Sequence, residues 1–275
     1  MAHPQIAVFA RLAKGGEQPL RRIAGQSTKL TRTMHDIRYD AKNDEIFVTN
    51  NHADAVLAFR GTANGDEPPL RILQGSNTQL GSGGGDRLDI DPTHDEIFVP
   101  ADDRVLVFPR TANGNVAPIR VIRGPETMLS NAATLSVDPV NDLLVVGLNK
   151  QGKDPNGALL IFNRTDNGNV KPRSVIRGPK SGIVRITQMA LNPARKLIIA
   201  TQPGEVNVME PEGAFVGVWR MDDNGDIPPV MRLNTGGKTT LKKPRGVVLD
   251  YKNKEVIIAD MRLNAILTFS WPEVF

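Results

Sequence analysis

Residues 37–75 read IRYDAKNDEIFVTNNHADAVLAFRGTANGDEPPLRILQG, and residues 88–124 read LDIDPTHDEIFVPADDRVLVFPRTANGNVAPIRVIRG. The second segment is the first written again. An acidic or amide residue ending a short apolar run recurs at Asp40, Asp91, Asp138, Asn192 and Asp250, at spacings of 51, 47, 54 and 58 residues. An aromatic closing a later run recurs at Phe9, Phe59, Phe108, Phe162, Trp219 and Phe269. A period near 50 residues with four strand-like segments per copy specifies a β-propeller built from four-stranded antiparallel blades. The repeat runs nearly end to end, so residues 1–275 read as one all-β domain.

Each segment of the unit has a physical reason. The first strand is short and apolar (LDID, LSVD, MALN, VVLD). The turn that follows, as in DPTHDE, uses an Asx side chain to bond backbone amides two residues on. The second strand is a continuous apolar run (EIFV, LLVV, LIIA, EVIIA), which suits a strand buried on both faces. Between the third and fourth strands stands TANGD, TANGN, TDNGN or DDNGD, and Asn-Gly is a strong hairpin signal because both residues tolerate positive φ. The fourth strand interleaves arginine, a charge that discourages edge-to-edge pairing.

Five units have first and second strands, six segments look like third strands and five look like fourth strands. The expectation is five blades, six being the alternative, with the ring closed by pairing the N- and C-terminal strands. Residues 203–218 form the largest insertion and offer room for a further hairpin.

The turn motif DPTHDEIFV (91–99), the stretch EIFVTNNHADAVLAF (45–59) and the ending LNAILTF (263–269) resemble the NHL and YVTN families of bacterial β-propeller repeats. The resemblance spans nearly the whole chain and implies the propeller fold. It implies no single activity, since such propellers include protein-interaction domains, RNA-binding domains, lyases and lactonase-like hydrolases. The Asn-Gly-x-x-x-Pro connection is longer than the usual NHL turn, and no catalytic residue carries over.

Bulk properties narrow the partners. The chain has 34 basic and 30 acidic residues, a net charge of +4, and no run of five like charges. That argues against a nucleic-acid tail, and the arginines lie on outer strands away from the aromatics, so nucleic acid is not an expected partner. No apolar stretch is long enough to span a bilayer. With no cysteine, disulfides and cysteine-ligated metals are excluded. The N-terminus carries no signal peptide as written. The compartment stays open between a cytoplasmic protein and a secreted or periplasmic one whose signal has been removed.

In propellers, ligands sit by analogy at the loops that join one blade's last strand to the next blade's first, and the second strand to the third. The polar residues there are His35, Asp36, Asp86, Arg87, Arg185, Gln188, Arg245, Asn50, Asp102 and Asp260. His35 is the candidate general base, with Asp86 or Asp260 as its carboxylate. Asp102, Asp260, Asn50 and His35 are ligand types for a metal, calcium in particular, but each pair lacks diagnostic spacing, so no metal or other cofactor is assigned. The recurrent Asp40, Asp91, Asp138 and Asp250 read as turn residues. The reading that results is a non-catalytic propeller binding a protein or small-molecule ligand on its channel face. The alternatives are a lyase or lactonase-like hydrolase using His35 and a metal, and a secreted structural repeat protein.

Overall fold

The computed structural model describes residues 4–32, 34–81, 86–205, 208, 213–234 and 241–275. Much of the Gly-rich 81–86 segment and of the 203–218 insertion lies outside them. Among the described residues twenty-one strands follow in chain order. β1 (Gln5–Val8) and β2 (Arg21–Ala24) come first, then β3 (Met34–Asp40), β4 (Glu45–Asn50), β5 (Ala55–Arg60) and β6 (Arg71–Gln74). The next repeat gives β7 (Asp89–Asp91), β8 (Glu96–Ala101), β9 (Arg104–Pro109) and β10 (Arg120–Arg123). After it come β11 (Ala132–Asp138), β12 (Leu143–Leu148), β13 (Ala158–Asn163) and β14 (Ser174–Ile176), then β15 (Gln188–Asn192), β16 (Leu197–Gln202), β17 (Phe215–Arg220) and β18 (Met231–Asn234). The last are β19 (Pro244–Asp250), β20 (Glu255–Asp260) and β21 (Ala265–Ser270).

The sheets follow the repeat. β3–β6, β7–β10, β11–β14 and β15–β18 are each four-stranded, with strands in sequential order. β19–β20–β21 is three-stranded, and β1–β2 is a two-stranded ladder of its own. Sequence reading expected one mixed sheet joining the two termini; among the described residues β1–β2 and β19–β20–β21 are separate ladders. The chain divides into two compact units, Met1–Ala101 with Leu106–Ile119, and Asp102–Val105 with Arg120–Phe275.

The continuous apolar runs are buried as their composition requires. Every residue of β4, β8, β12 and β16 is buried. In the second unit Val145, Leu159, Ile161, Ile198, Phe215 and Trp219 share one core. Residues of this kind on both faces of a strand are what sheet-on-sheet stacking needs.

The anchor Asx residues close the turn between first and second strands. Asp138 accepts the Val140 and Asn141 amides at 2.9 and 3.0 Å and the Asn141 Nδ2 at 2.6 Å. Asp40 does the same for Lys42 and Asn43, and Asp91 for Thr93 and His94. The fourth residue after each anchor, Asp44, Asp95, Asp142, Lys196 or Lys254, takes a left-handed φ between 51° and 56°. Asp40, Asp91 and Asp138 are wholly buried and bonded, which accounts for their recurrence without any ligand.

The Asn-Gly connections do something the hairpin reading did not anticipate. Each stands five residues after the aromatic anchor and reaches the fourth strand of the preceding sheet. Asn64, Asn113, Asn167 and Asn224 accept, through Oδ1, the backbone amides of Arg22, Ile72, Val121 and Val175. The following Gly65, Gly114, Gly168 and Gly225 form parallel bridges to Ile23, Leu73, Ile122 and Ile176. The next side chain, Asp66, Asn115, Asn169 or Asp226, accepts the amide of Ser27, Asn77, Glu126 or Lys180 at 2.7–2.8 Å. The turn so held is closed from the other side by Thr28, Thr78, Thr127 or Ser181, whose hydroxyl bonds the carbonyl of Gly25, Gly75, Gly124 or Gly178 at 2.6 Å. The connection is a latch between successive repeats, and that is why it is longer than a minimal hairpin. At the matching positions the N-terminal segment carries Lys14, Gly15 and Gly16, which lack the Asx side chains.

Candidate functional site

The candidate residues fall into two clusters, one in each unit. In the first, Asp36 leaves the middle of β3, and its side chain has no exposure. Its Oδ1 meets Arg38 Nη1 at 3.0 Å and the Ile37 amide at 3.0 Å, while Oδ2 accepts the Leu88 amide at 3.3 Å. Arg38 Nε in turn donates to Asp89 Oδ1 at 3.0 Å. Arg87 is buried beside them and donates to the Asp86 carbonyl at 2.9 Å. Thr49 ties the strands together: its hydroxyl accepts the Asp36 amide and donates to the Asp86 carbonyl.

Electrostatics follow from that burial. Burial pushes the Asp36 carboxyl above its ordinary range, against the pull of Arg38, Arg87 and the two amides. Burial also works against the Arg38 charge, but Asp36 and Asp89 outweigh it and raise the guanidinium's pKa. Arg87 is lowered, by burial first, with Asp36 and Asp86 opposing. A carboxylate placed this way clamps β3 to the segment that leads into β7.

His35 stands at the solvent edge of the same cluster. Its Nδ1 lies 3.3 Å from Asp86 Oδ1, with both side chains more than a third exposed. The sequence anticipated this pair as one of two options. The other option, Asp260, belongs to the second unit and is occupied: its Oδ2 accepts the amides of Lys242 and Lys243 at 2.6 and 2.9 Å, and its Oδ1 those of Arg262 and Leu263 at 3.0 and 3.1 Å.

Asn50 and Asp102 also bond neighbouring backbone. Asn50 Oδ1 accepts the amide and hydroxyl of Thr31, and its Nδ2 donates to the Lys29 carbonyl at 2.8 Å. Asp102 Oδ1 accepts the Asn131 amide at 3.1 Å. Among the described residues no group of three or more His, Asp or Glu side chains is placed to hold a metal ion. Of the donors considered from sequence for calcium, Asp260 meets backbone amides with both carboxylate oxygens and Asn50 Oδ1 meets Thr31, while Asp102 meets an amide through Oδ1 and His35 faces Asp86.

The second cluster is cationic. Gln188 Oε1 accepts the Val247 amide at 2.8 Å, as Asp36 accepts that of Leu88 three repeats earlier. The Arg245 carbonyl accepts the hydroxyls of Thr187 at 2.9 Å and Thr201 at 3.2 Å, which sets Arg245 against the strand that Arg185 leads into. The Arg185 amide is held by Gln202 Oε1 at 2.8 Å. Arg245 Nη1 also lies 3.6 Å from Met261 Sδ. Between the two arginines in charge, if not in sequence, is Lys243, which reasoning from sequence missed. Lys243 is buried, and its Nζ donates to the Val208 carbonyl. Burial first, then the charges of Arg185 and Arg245, hold its pKa below the usual lysine range. The signal available was the KKPRG run itself, a doublet of lysines two residues before Arg245.

A shallow groove of about 450 Å³ in the first unit is lined by Ala53, Asp54, Gln74, Ser76 and Gln79. None of the sequence-derived candidates lines it.

Neither a protein-family model nor a curated protein sequence matches the chain. Solved structures do match it in shape. Hydrazine synthase of Kuenenia stuttgartiensis superposes over 91% of this chain and 67% of its own, with a TM-score of 0.57 and 15% identity. A putative 6-phosphogluconolactonase from Bacteroides uniformis covers 95% and 72%, with 0.56 and 17%. The nidogen/laminin complex provides a match covering 99% and 92%, with 0.59 and 13%. The fold is a five-bladed β-propeller. At these identities the likeness extends to the fold alone, and propellers of this shape serve both enzymes and binding proteins.

Proposed function

We propose that this propeller is a non-catalytic binding protein of NHL/YVTN-like type. Its ligand is an anion, a carboxylate- or phosphate-bearing small molecule or protein side chain. The observation that carries this reading is the cluster of Lys243, Arg185 and Arg245 at one end of the β15 and β19 strands. Arg185 and Arg245 stand close enough to Lys243 to add to the effect of burial on its proton affinity, an anion that joins the three offsets that repulsion, and arginine forks favour carboxylate and phosphate geometry. The commitment of Asp36, Asp260, Asn50 and Asp102 to backbone amides supports a binding role over acid–base chemistry.

Calorimetric titration with inorganic phosphate and with citrate tests the assignment. Saturable binding is expected, weakened at least tenfold by Arg245→Gln and by Lys243→Gln. Absence of binding by the unmodified protein, or binding indifferent to both changes, overturns it.

A second reading rests on the His35 contact to Asp86, a partly exposed histidine–carboxylate pair at these loop ends. It makes the protein a lactonase-like hydrolase or a lyase with His35 as general base. Turnover of a lactone or ester panel that disappears in His35→Ala decides for that reading. No turnover decides against it.

A further inference from the structure

We propose that the groove beside Asp54 in the first unit is a recognition site for a guanidinium group, supplied by an arginine side chain of a partner or by a free guanidino compound. Two sister repeats fill the corresponding place with a guanidinium of their own. The residue ahead of the positive-φ glycine that follows each fourth strand is Gln74, Arg123 or Arg177, before Gly75, Gly124 or Gly178. In the later two repeats it is an arginine that crosses to an acid in the loop before the third strand. Arg123 Nε and Nη2 meet Asp103 Oδ2 at 2.9 and 2.8 Å, while Arg104 Nη1 takes Asp103 Oδ1 at 2.8 Å. Arg177 Nη2 bonds Asp154 Oδ2.

The repeat of β3–β6 keeps the acid and lacks both cations. Asp54 stands directly before β5, as Asp103 stands directly before β9, but Ala55 replaces Arg104 and Gln74 replaces Arg123. Gln74 donates its Nε2 to the Ala53 carbonyl at 2.7 Å instead. Among the described residues no arginine or lysine is paired with the Asp54 carboxylate.

The space so left is the groove of about 450 Å³. Gly81 also borders it: a Cβ there would stand 3.3 Å from Asp54 Oδ2, so the glycine leaves that oxygen uncovered. A planar guanidinium meets a carboxylate through two N–H donors, and Gln74 Oε1 and the Ser76 hydroxyl in the same lining are further acceptors. An ammonium lacks the fork and holds its hydration shell more tightly, so arginine is preferred to lysine. Exposed ion pairs contribute little each, so a dissociation constant of about 1 mM is expected. The lysine–arginine cluster around Lys243 belongs to the second unit, and the assignment of this groove does not rest on it.

Amide NMR titrations with Nα-acetylarginine amide, agmatine and Nα-acetyllysine amide test the site. Saturable shifts at Asp54, Ser76 and Gln79 are expected with a guanidino probe, and weaker ones with the lysine probe. Gln74→Arg restores the residue that the next two repeats carry and sets the protein's own guanidinium against Asp54. It is expected to keep the wild-type unfolding midpoint and to abolish the shifts. Asp54→Asn keeps a residue type that tolerates the left-handed φ of 46°. It is expected to weaken binding about tenfold, the value of one charge-assisted hydrogen bond. Saturation by the acetylarginine amide alone identifies a partner's arginine as the source, and saturation by agmatine alone a free guanidino compound. The proposal is overturned if neither guanidino probe saturates, if both variants bind as the wild type does, or if lysine binds as tightly as arginine.

Discussion

Asp36→Ala is expected to lower stability by about 3–5 kcal/mol, the range for removing one partner of a buried ion pair. The carboxylate is shared by Arg38, the Ile37 amide and the Leu88 amide, and Arg87 is buried within its field. Deleting it leaves two buried guanidinium groups with Asp89 and Asp86 as the remaining acids nearby, and it orphans the Leu88 amide. Asp36→Asn keeps an acceptor and is expected to cost less, by about the value of a charge-assisted over a neutral hydrogen bond, 1–2 kcal/mol. Urea unfolding of the three proteins measures both differences. A loss below about 1 kcal/mol for the alanine variant would sink the account of Asp36 as a clamp.

The same residue gives a pH dependence with a definite sign. Its folded-state pKa lies above the ordinary 3.8, so the folded protein takes up this proton before the unfolded chain does. Its contribution to stability therefore improves as pH falls from the raised folded value towards 3.8. Asp95 behaves in the opposite sense. Its hydrogen bond with Arg110 lowers its pKa, so its contribution is present above the ordinary carboxylate range and is lost on acidification through the lowered value. Comparing the acid limbs of wild type and Asp36→Ala isolates the first of these.

Gly124→Ala is expected to cost about 2–4 kcal/mol, from two separable sources. Gly124 sits at φ 135°, ψ 170°, a region essentially closed to residues with a Cβ. An added methyl group would also land on the side chain of Asn169, the latch residue that accepts the Glu126 amide at 2.8 Å. In an Asn169→Gly background the side-chain overlap is gone and the backbone strain at residue 124 remains. There Gly124→Ala should cost only about 1–2 kcal/mol, while Asn169→Gly by itself costs about 1–2 kcal/mol for the lost hydrogen bond and the added freedom of the unfolded chain. Thermal or denaturant unfolding of the four proteins gives the coupling energy. Strictly additive costs would show that the glycine is required for its backbone alone and that the latch does not press on it.

The two kinds of residue had different visibility in the sequence. Asp138 and its counterparts bond amides two and three residues away, so their role follows from local spacing, and their recurrence could be read directly. Asn167 and Asn169 bond amides more than 40 residues away, so the same Asn-Gly letters read as a hairpin until the chain is folded. Lys243 was invisible for a related reason: its chemistry comes from Arg185, far off in sequence, and from its own burial. His35 and Asp86 could be paired on paper only because the repeat places equivalent loops in register.

The sequence by itself determined the repeat, the strand order within each unit, the closed Asx turns and the five-bladed propeller. All of these rest on contacts within one period of the chain or on the periodicity of apolar residues. Only the tertiary structure decided which polar groups are spent on holding repeats together. Among the described residues it also gave β1–β2 and β19–β20–β21 as separate ladders. A buried polar group is defined by what surrounds it, and its surroundings come from repeats distant in the chain.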